Sequence, residues 1–183
     1  ITEKFPELRS LVLQLLFNRG ITSPERVDSF LNPDYHNLYD PYLFFDMQIA
    51  VDRIWQAIEN KEKILIYGDY DADAVTANAV LQQTFRYLGV DVLSYVPDRF
   101  TEGYGLNIEA FEKIKALGVN VVITVDCGTN SIDETEFCKK NNIDLIITDH
   151  HEITGAKPEP FALINPKNPD EQYPDEQITG VGV

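Results

Sequence analysis

"KILIYGDYDADAVTANAVLQQTFRYLG", residues 63–89, joins a short apolar run to a cluster of aspartates and then to a helical stretch. The run "KILIY" is too short for a helix and has no polar residue after Lys63, so it reads as a strand buried on both faces. Residues 74–88 then place Val75, Ala79, Leu81, Phe85 and Leu88 at helical spacing, and Gly89 stands where a helix C-cap belongs. The same rhythm continues downstream. "VLSYV", a helix over about 107–117, "VVITV", a helix over about 132–140 and "DLIIT" follow, with a further short strand in "FALIN". Gly118 and Asn141/Asn142 mark the helix ends. Strands that are apolar throughout and alternate with helices predict an α/β fold: a doubly wound, mostly parallel sheet flanked by helices.

Upstream of this unit the rhythm is different. Residues 6–31 carry Leu8, Leu11, Val12, Leu15 and Leu16 at helical spacing, with Pro6 suited to a first turn and Gly20 to an end. Ser23 and Pro24 then form an N-cap pair for a second helix. "NPDYHNLYDPYLFFD" is an aromatic- and proline-rich connector, and His36 within it is given no catalytic role. A helix is expected from about Asp46 to Asn60, with Ile49, Ile54, Trp55 and Ile58 on its apolar side. The expected organisation is therefore an N-terminal helical extension and connector over 1–45 and a catalytic α/β domain over 46–183. A start at Ile1 and a stop inside "ITGVGV" read as a fragment, truncated at its C-terminus and lacking a second domain.

Composition excludes less than it first suggests. Of 183 residues, 44% are hydrophobic and 25% charged, which is the balance of an ordinary globular protein. No apolar stretch reaches the length of a membrane span and no signal pattern opens the chain, so no membrane partner is expected. Cys127 and Cys138 read as reduced thiols in a cytoplasmic protein. The net charge of −15, from 30 acidic and 15 basic residues, argues against a nucleic-acid partner taken alone. Carboxylates that collect divalent metals lift that objection, because the metals then meet the phosphate.

Three expected strands run straight into acidic residues. "ILIYGDYDAD" supplies Asp69, Asp71 and Asp73; "VVITVDCGTN" supplies Asp126, followed by Gly128; "DLIITDHHE" supplies Asp149, His150 and His151. His150 and His151 are two of the chain's three histidines. Ligands of open parallel sheets bind beyond the carboxyl ends of the strands, so neighbouring strands would bring these segments to one crevice. Crowded carboxylates repel unless a cation joins them, and an imidazole beside them favours Mn²⁺ or another first-row ion over Mg²⁺. Two such ions about 4 Å apart would clamp a phosphate and generate hydroxide to attack it. Each element has a plainer reading. Asp126 or Asp149 alone would serve as a helix N-cap, and "DYDAD" as a solvated loop. An EF-hand fails, since Ala74 and Val80 stand where Gly and Glu are needed. No P-loop or H-E-x-x-H is present. "DADAV" satisfies the D-x-D-x-[TV] signature of haloacid-dehalogenase-type phosphatases, with Asp71 as nucleophile and Asp73 as general acid, but leaves "DHH" unexplained.

"YGDYDAD", "VDCG" and "TDHHE" resemble the first three motifs of the DHH phosphoesterase superfamily. "LYDPYLFFDM", "VPDRFTEGYGLN" and "INPKNPDEQYPDEQITGVGV" resemble stretches of its RecJ-like single-stranded-DNA-specific exonucleases. The resemblance implies two Mn²⁺ or Mg²⁺ ions and 5′-to-3′ hydrolysis of single-stranded DNA to 5′-mononucleotides in repair and recombination. By motif, Asp71 and Asp73 would each hold a metal, Asp126 would bridge, and His150 would ligate one ion. His151 would face the scissile phosphate, with Asp149 orienting it and Asp69 in a supporting role. Arg99 in "VPDR" is a phosphate contact or a surface ion pair, and "EGYG", residues 102–105, shapes the loop beside it. The family's Gly is replaced by Ala74, which would crowd the strand-to-helix turn, and its Ser by Ala77. A helicase and a single-strand-binding protein are implied partners. Alternatives within the superfamily are hydrolysis of short oligonucleotides, cyclic dinucleotides or pyrophosphate, or a non-catalytic scaffold. The fragment itself is expected to fold and to be weakly active or inactive.

Overall fold

The structure, a computed structural model, describes residues 5–34, 36 and 38–183. Two compact units divide at Asp40 and Pro41. The first holds α1 (Ser10–Asn18) and α2 (Pro24–Leu31), packed through Leu16, Ile21 and Val27 with Phe5, Leu8 and Val12 around them. Ser23 caps α2 as expected, its hydroxyl accepting from the Arg26 N–H at 3.2 Å. Pro6, however, lies in a turn ahead of α1 rather than in its first turn, because the helix begins only at Ser10. Tyr35 and Asn37 of the expected connector lie outside the described residues, and a 3-10 turn spans Pro41–Leu43.

The second unit runs α3 (Met47–Glu59), β1 (Ile64–Gly68), α4 (Ala72–Tyr87), β2 (Leu93–Tyr95), α5 (Ile108–Ala116), β3 (Val121–Val125), α6 (Ile132–Lys140), β4 (Asp144–Thr148) and β5 (Ala162–Ile164). The five strands form one sheet in the order β2-β1-β3-β4-β5, every pair parallel. Strand residues alternate between two cores. Leu65, Tyr67, Val122, Leu145 and Ile147 meet Ala110, Phe111 and Ile114 of α5 and Cys138 of α6 on one face. Ile64, Ile66, Val121, Ile123 and Ile146 meet Ala50 and Ala57 of α3 and Ala77 and Phe85 of α4 on the other. The sheet is thus wound on both sides, and β1 and β3 are fully buried, which is why their sequences show no polar alternation.

The helix ends follow the expected chemistry. Gly89 and Gly118 take φ of +74° and +71°, and Asn142 takes +55°. At the opposite edge, the Arg53 guanidinium of α3 pairs with Asp144 at 2.6 Å and Glu62 at 2.5 Å, tying that helix to the amino end of β4. Among the described residues no helix is long and apolar enough to cross a membrane.

Candidate metal centre

The chain leaves β1 and returns to β3 on the other side of it, so the switch in winding direction falls between these two strands. Gly68, Val125 and Thr148 are register partners across β1, β3 and β4. The residue after each is an aspartate, so Asp69, Asp126 and Asp149 line up at one sheet edge, at the position where doubly wound folds bind ligands. Their exposures are 0%, 1% and 1%. Three buried carboxylates side by side demand compensation, and the structure provides it unequally.

Asp149 is fully served. Its Oδ1 accepts from the N–H groups of His150 (2.7 Å) and His151 (3.2 Å) and from His151 Nδ1 (2.7 Å), and its Oδ2 from the Thr129 N–H (2.9 Å). Burial would push its pKa up, but the hydrogen bonds from Thr129 and His151 outweigh it and hold the carboxyl below its usual range. The pair acts on both members. Burial works against a charged His151, yet the Asp149 bond and charge, with Asp126 beyond, raise its pKa. Because the Nδ1–H of His151 donates to Asp149, Nε2 points outward, 3.4 Å from the Tyr104 hydroxyl. Burial and the charges of Asp69, Asp126 and Asp149 keep that phenol protonated well past its usual range.

Asp126 is served less well, and among the described residues one of its carboxylate oxygens has no partner. Its backbone sits at φ +60°, a left-handed conformation that aspartate tolerates better than most residues. Its buried Oδ1 has no hydrogen-bond partner, although His150 Nε2 lies 3.1 Å away. The other ring nitrogen explains this. His150 Nδ1 is 3.0 Å from the Ile178 carbonyl, which can only accept, so Nδ1 carries a proton and Nε2 is the ring nitrogen that can present a lone pair to a metal. Asp73 Oδ2 stands 3.8 Å from the same nitrogen. A lone pair facing carboxylate oxygens is reconciled only by a cation or a proton between them. Burial, then Asp73 and Asp71, push the Asp126 carboxyl up to about 7. Asp126, His150 and His151 each offer a ligand atom, and these atoms lie within 4.8 Å of one another. Carboxylate plus imidazole is a donor set that fits Mn²⁺ or another first-row divalent ion.

The remaining aspartates divide by role. Asp73 Oδ2 and Oδ1 accept from the N–H groups of Gly180 (2.8 Å) and Val181 (2.6 Å), at the start of the 3-10 turn Gly180–Gly182. Asp71 caps α4, its Oδ1 accepting from the Ala74 N–H at 3.0 Å. It is exposed, and its charge reaches both Asp69 and Asp126. Asp69 accepts from the Tyr70 N–H (2.7 Å) through Oδ1, while its buried Oδ2 has no partner. Burial and the Asp71 charge raise its pKa. The plain readings of Asp126 and Asp149 as helix caps do not hold, since α6 begins beyond Ser131 and no helix follows β4 directly. Ala74, where the family's Gly was expected, is fully buried and its N–H is bonded to Asp71. Arg99 takes part in no ion pair among the described residues; its guanidinium lies 5.2 Å from the centre of the Tyr70 ring. Tyr70 meets Tyr104 edge to face.

Three contributors escape a reading of motifs. Tyr104 faces His151 because glycines at φ +80° and +79° flank it, and the spacing "GYG" was its signal. Gly180 approaches Asp126 so closely that a Cβ there would lie 2.3 Å from Oδ1. Asn165 is fully buried and donates to Thr129 Oγ1 (2.8 Å) and to the His151 carbonyl (2.9 Å), bracing the "DHH" segment from behind. Nothing in "INPKNP" announces this. Asn165→Ala should cost about 2 kcal/mol, because it strips a buried and a part-buried acceptor of their donor. Urea denaturation checks it, and an unchanged midpoint would show that water replaces the amide.

Comparison with known proteins follows the same lines. The chain is 44% identical over 183 residues to the single-stranded-DNA-specific exonuclease RecJ of Bacillus subtilis, covering 100% of this chain and 23% of that protein. A crystal structure of exonuclease RecJ bound to manganese superposes with a TM-score of 0.70 at 30% identity, covering 80% of this chain and 37% of that one. RecJ of Thermus thermophilus in complex with Mn²⁺ gives 0.67 at 26% identity, covering 92% and 22%. The chain therefore spans about a quarter of the length of such curated relatives, 23% in Bacillus subtilis and 28% in Haemophilus influenzae. Residues 63–183, from the first lysine of β1's approach to the 3-10 turn beside Asp126, match the DHH family, N-terminal domain. With two thirds of its length in that match, and the buried aspartates and paired histidines inside it, the chain belongs to the DHH family.

Proposed function

We propose that the chain forms the metal-binding part of a two-metal exonuclease that hydrolyses single-stranded DNA from its 5′ end, releasing 5′-mononucleotides in repair and recombination. The observation that carries this reading is the approach of His150 Nε2 to within 3.1 Å of the buried Asp126 Oδ1, which has no hydrogen-bond partner. Asp71, Asp73, Asp126 and His150 would hold the ions, with Asp69 supporting them through its charge. Two Mn²⁺ or Mg²⁺ ions would supply a polarised phosphodiester and an acidified water.

The chain's own residues do the rest. Asp149 anchors the Nδ1–H of His151, so Nε2 is turned outward to give a proton to a phosphate oxygen. Despite burial, the hydrogen bond to Asp149 and its charge raise the pKa of His151 and so favour the protonated ring. Arg99, which lies over the Tyr70 ring and has no ion pair among the described residues, could meet a phosphate of the strand. An acidic chain would accept DNA here because cations held by its carboxylates would meet the phosphates.

Residues 46–183 make the DHH phosphoesterase domain in this reading, with 1–45 as its helical extension. The substrate strand would be opened by a helicase and coated by a single-strand-binding protein. Two buried free thiols, Cys127 and Cys138, suit the cytoplasm. A substrate panel with Mn²⁺ on the full-length parent protein is the test: 5′-phosphorylated single-stranded DNA, dinucleotides, cyclic dinucleotides and pyrophosphate. Stepwise release of mononucleotides from long single strands is expected. Cleavage confined to dinucleotides or pyrophosphate would overturn the substrate while leaving the metal chemistry, and no hydrolysis of any phosphoester would point to a scaffold.

A further inference from the structure

Arg99 and Tyr104 stand on a segment between β2 and α5 that has no regular structure of its own. Part of its shape is local. Asp98 Oδ1 accepts from the N–H groups of Phe100 (2.9 Å) and Thr101 (3.0 Å) and from the Thr101 hydroxyl (3.1 Å). The Glu102 N–H closes the turn on the Asp98 carbonyl at 2.9 Å. Such a turn fixes the loop's form and ties it to nothing else.

Glu102 supplies the tie. One oxygen accepts from the Asp98 N–H at 2.7 Å. The other accepts from Lys113 Nζ of α5 at 2.7 Å and from the Tyr95 hydroxyl of β2. A single carboxylate thus joins the loop to a strand and to a helix, and its side chain is 11% exposed. A surface ion pair with Lys113 alone would contribute little, but a covered carboxylate with three donors from three elements is a directional anchor. Past this anchor, Gly103 and Gly105 turn the chain so that Tyr104 reaches His151, and the Tyr67 hydroxyl donates to the Gly105 carbonyl at 3.0 Å.

We propose that Glu102 is a positioning residue for the DNA strand: it touches no atom of the metal centre, but it sets where Arg99 and Tyr104 stand opposite the carboxylates. The proposal rests on the function given above, in which this loop meets the phosphate backbone. Its energetic logic is pre-organisation, since an untethered loop must be ordered each time the strand binds.

The test uses this chain with Mn²⁺ and a nuclease-resistant, 5′-phosphorylated phosphorothioate deoxythymidine octamer. Octamer affinity, melting temperature and amide exchange at Phe100 and Thr101 are read for the parent, Glu102→Ala, Glu102→Gln and Arg99→Ala. Glu102→Ala should weaken binding about tenfold and speed exchange at both amides, while melting shifts by less than about 2 °C. Glu102→Gln, whose single amide oxygen can accept from the Asp98 N–H while its NH2 group donates to the Tyr95 hydroxyl, should recover part of the affinity. If Arg99→Ala weakens binding but Glu102→Ala does not, the role of Glu102 is overturned and the loop's substrate contact survives. If Glu102→Ala lowers melting strongly and binding only in proportion, its role is merely structural and the proposal again fails. If the parent does not bind the octamer, or neither alanine variant matters, the reading of the loop as a substrate contact falls, and Glu102's role with it.

Discussion

Asp126→Asn and His150→Ala should each lower Mn²⁺ affinity by at least about 100-fold, with the fold retained. Loss of a partner one shell further out already costs about 10–100-fold in metal sites, and these two side chains face one another directly. The asparagine keeps the volume of Asp126 and replaces a charged acceptor by a group that can donate to His150 Nε2, so the metal-free protein is relieved rather than strained. Calorimetric titration of the parent and both variants measures it, and binding undiminished by either substitution would mean that Mn²⁺ sits elsewhere. A pH signature accompanies this. The Asp126 carboxyl, near 4 in an unfolded chain, is pushed up to about 7 in the folded one. The folded state therefore holds a proton that the unfolded state has released, and metal-free stability from this group is present at low pH and falls as pH rises from about 4 to about 7. Asp149 has the opposite sign, its stabilisation being lost only below about pH 4, outside that window. Melting of the metal-free parent should accordingly decline between pH 5 and 8 relative to Asp126→Asn, and Mn²⁺ should stabilise the parent more at pH 8 than at pH 5.

Strands β1, β3 and β4 were legible because each is a short, largely apolar run, and each could be read within a residue of its ends. Convergence of Asp69, Asp126 and Asp149 followed from where parallel sheets bind ligands. What the letters could not carry is the division of labour among similar aspartates. Asp71 and Asp73 are two residues apart on one motif, yet the first caps α4 and the second receives the amides of Gly180 and Val181. Those amides come from a stretch more than 100 residues downstream with neither helical nor strand periodicity, where only tertiary folding decides the partner. The orientation of His150 is hidden in the same way. Its tautomer is set by the Ile178 carbonyl, a backbone atom that every residue type possesses.

Gly180→Ala should therefore disturb the metal centre although it changes no ligand. A Cβ at this position would lie 2.3 Å from Oδ1, 2.6 Å from Cγ and 2.8 Å from Cβ of Asp126. Asp126 cannot swing aside, since it is 1% exposed and its backbone is already held at φ +60°. The turn at Gly180–Gly182 must retreat instead, and with it go the N–H bonds to Asp73 and the grip of Ile178 on His150. Overpacking and the loss of these hydrogen bonds together should cost about 3 kcal/mol, and Mn²⁺ affinity should fall by about 10–100-fold. Gly155→Ala separates the two effects. Gly155 sits at φ +92° with nothing within 4 Å of the place an alanine methyl would take, so alanine there carries backbone strain of about 1 kcal/mol and should leave Mn²⁺ binding unchanged. Urea denaturation and Mn²⁺ titration of both variants decide the matter: a Gly180→Ala chain that binds the ion like its parent would show that the turn only covers the carboxylates, whereas a selective loss makes its backbone part of the site.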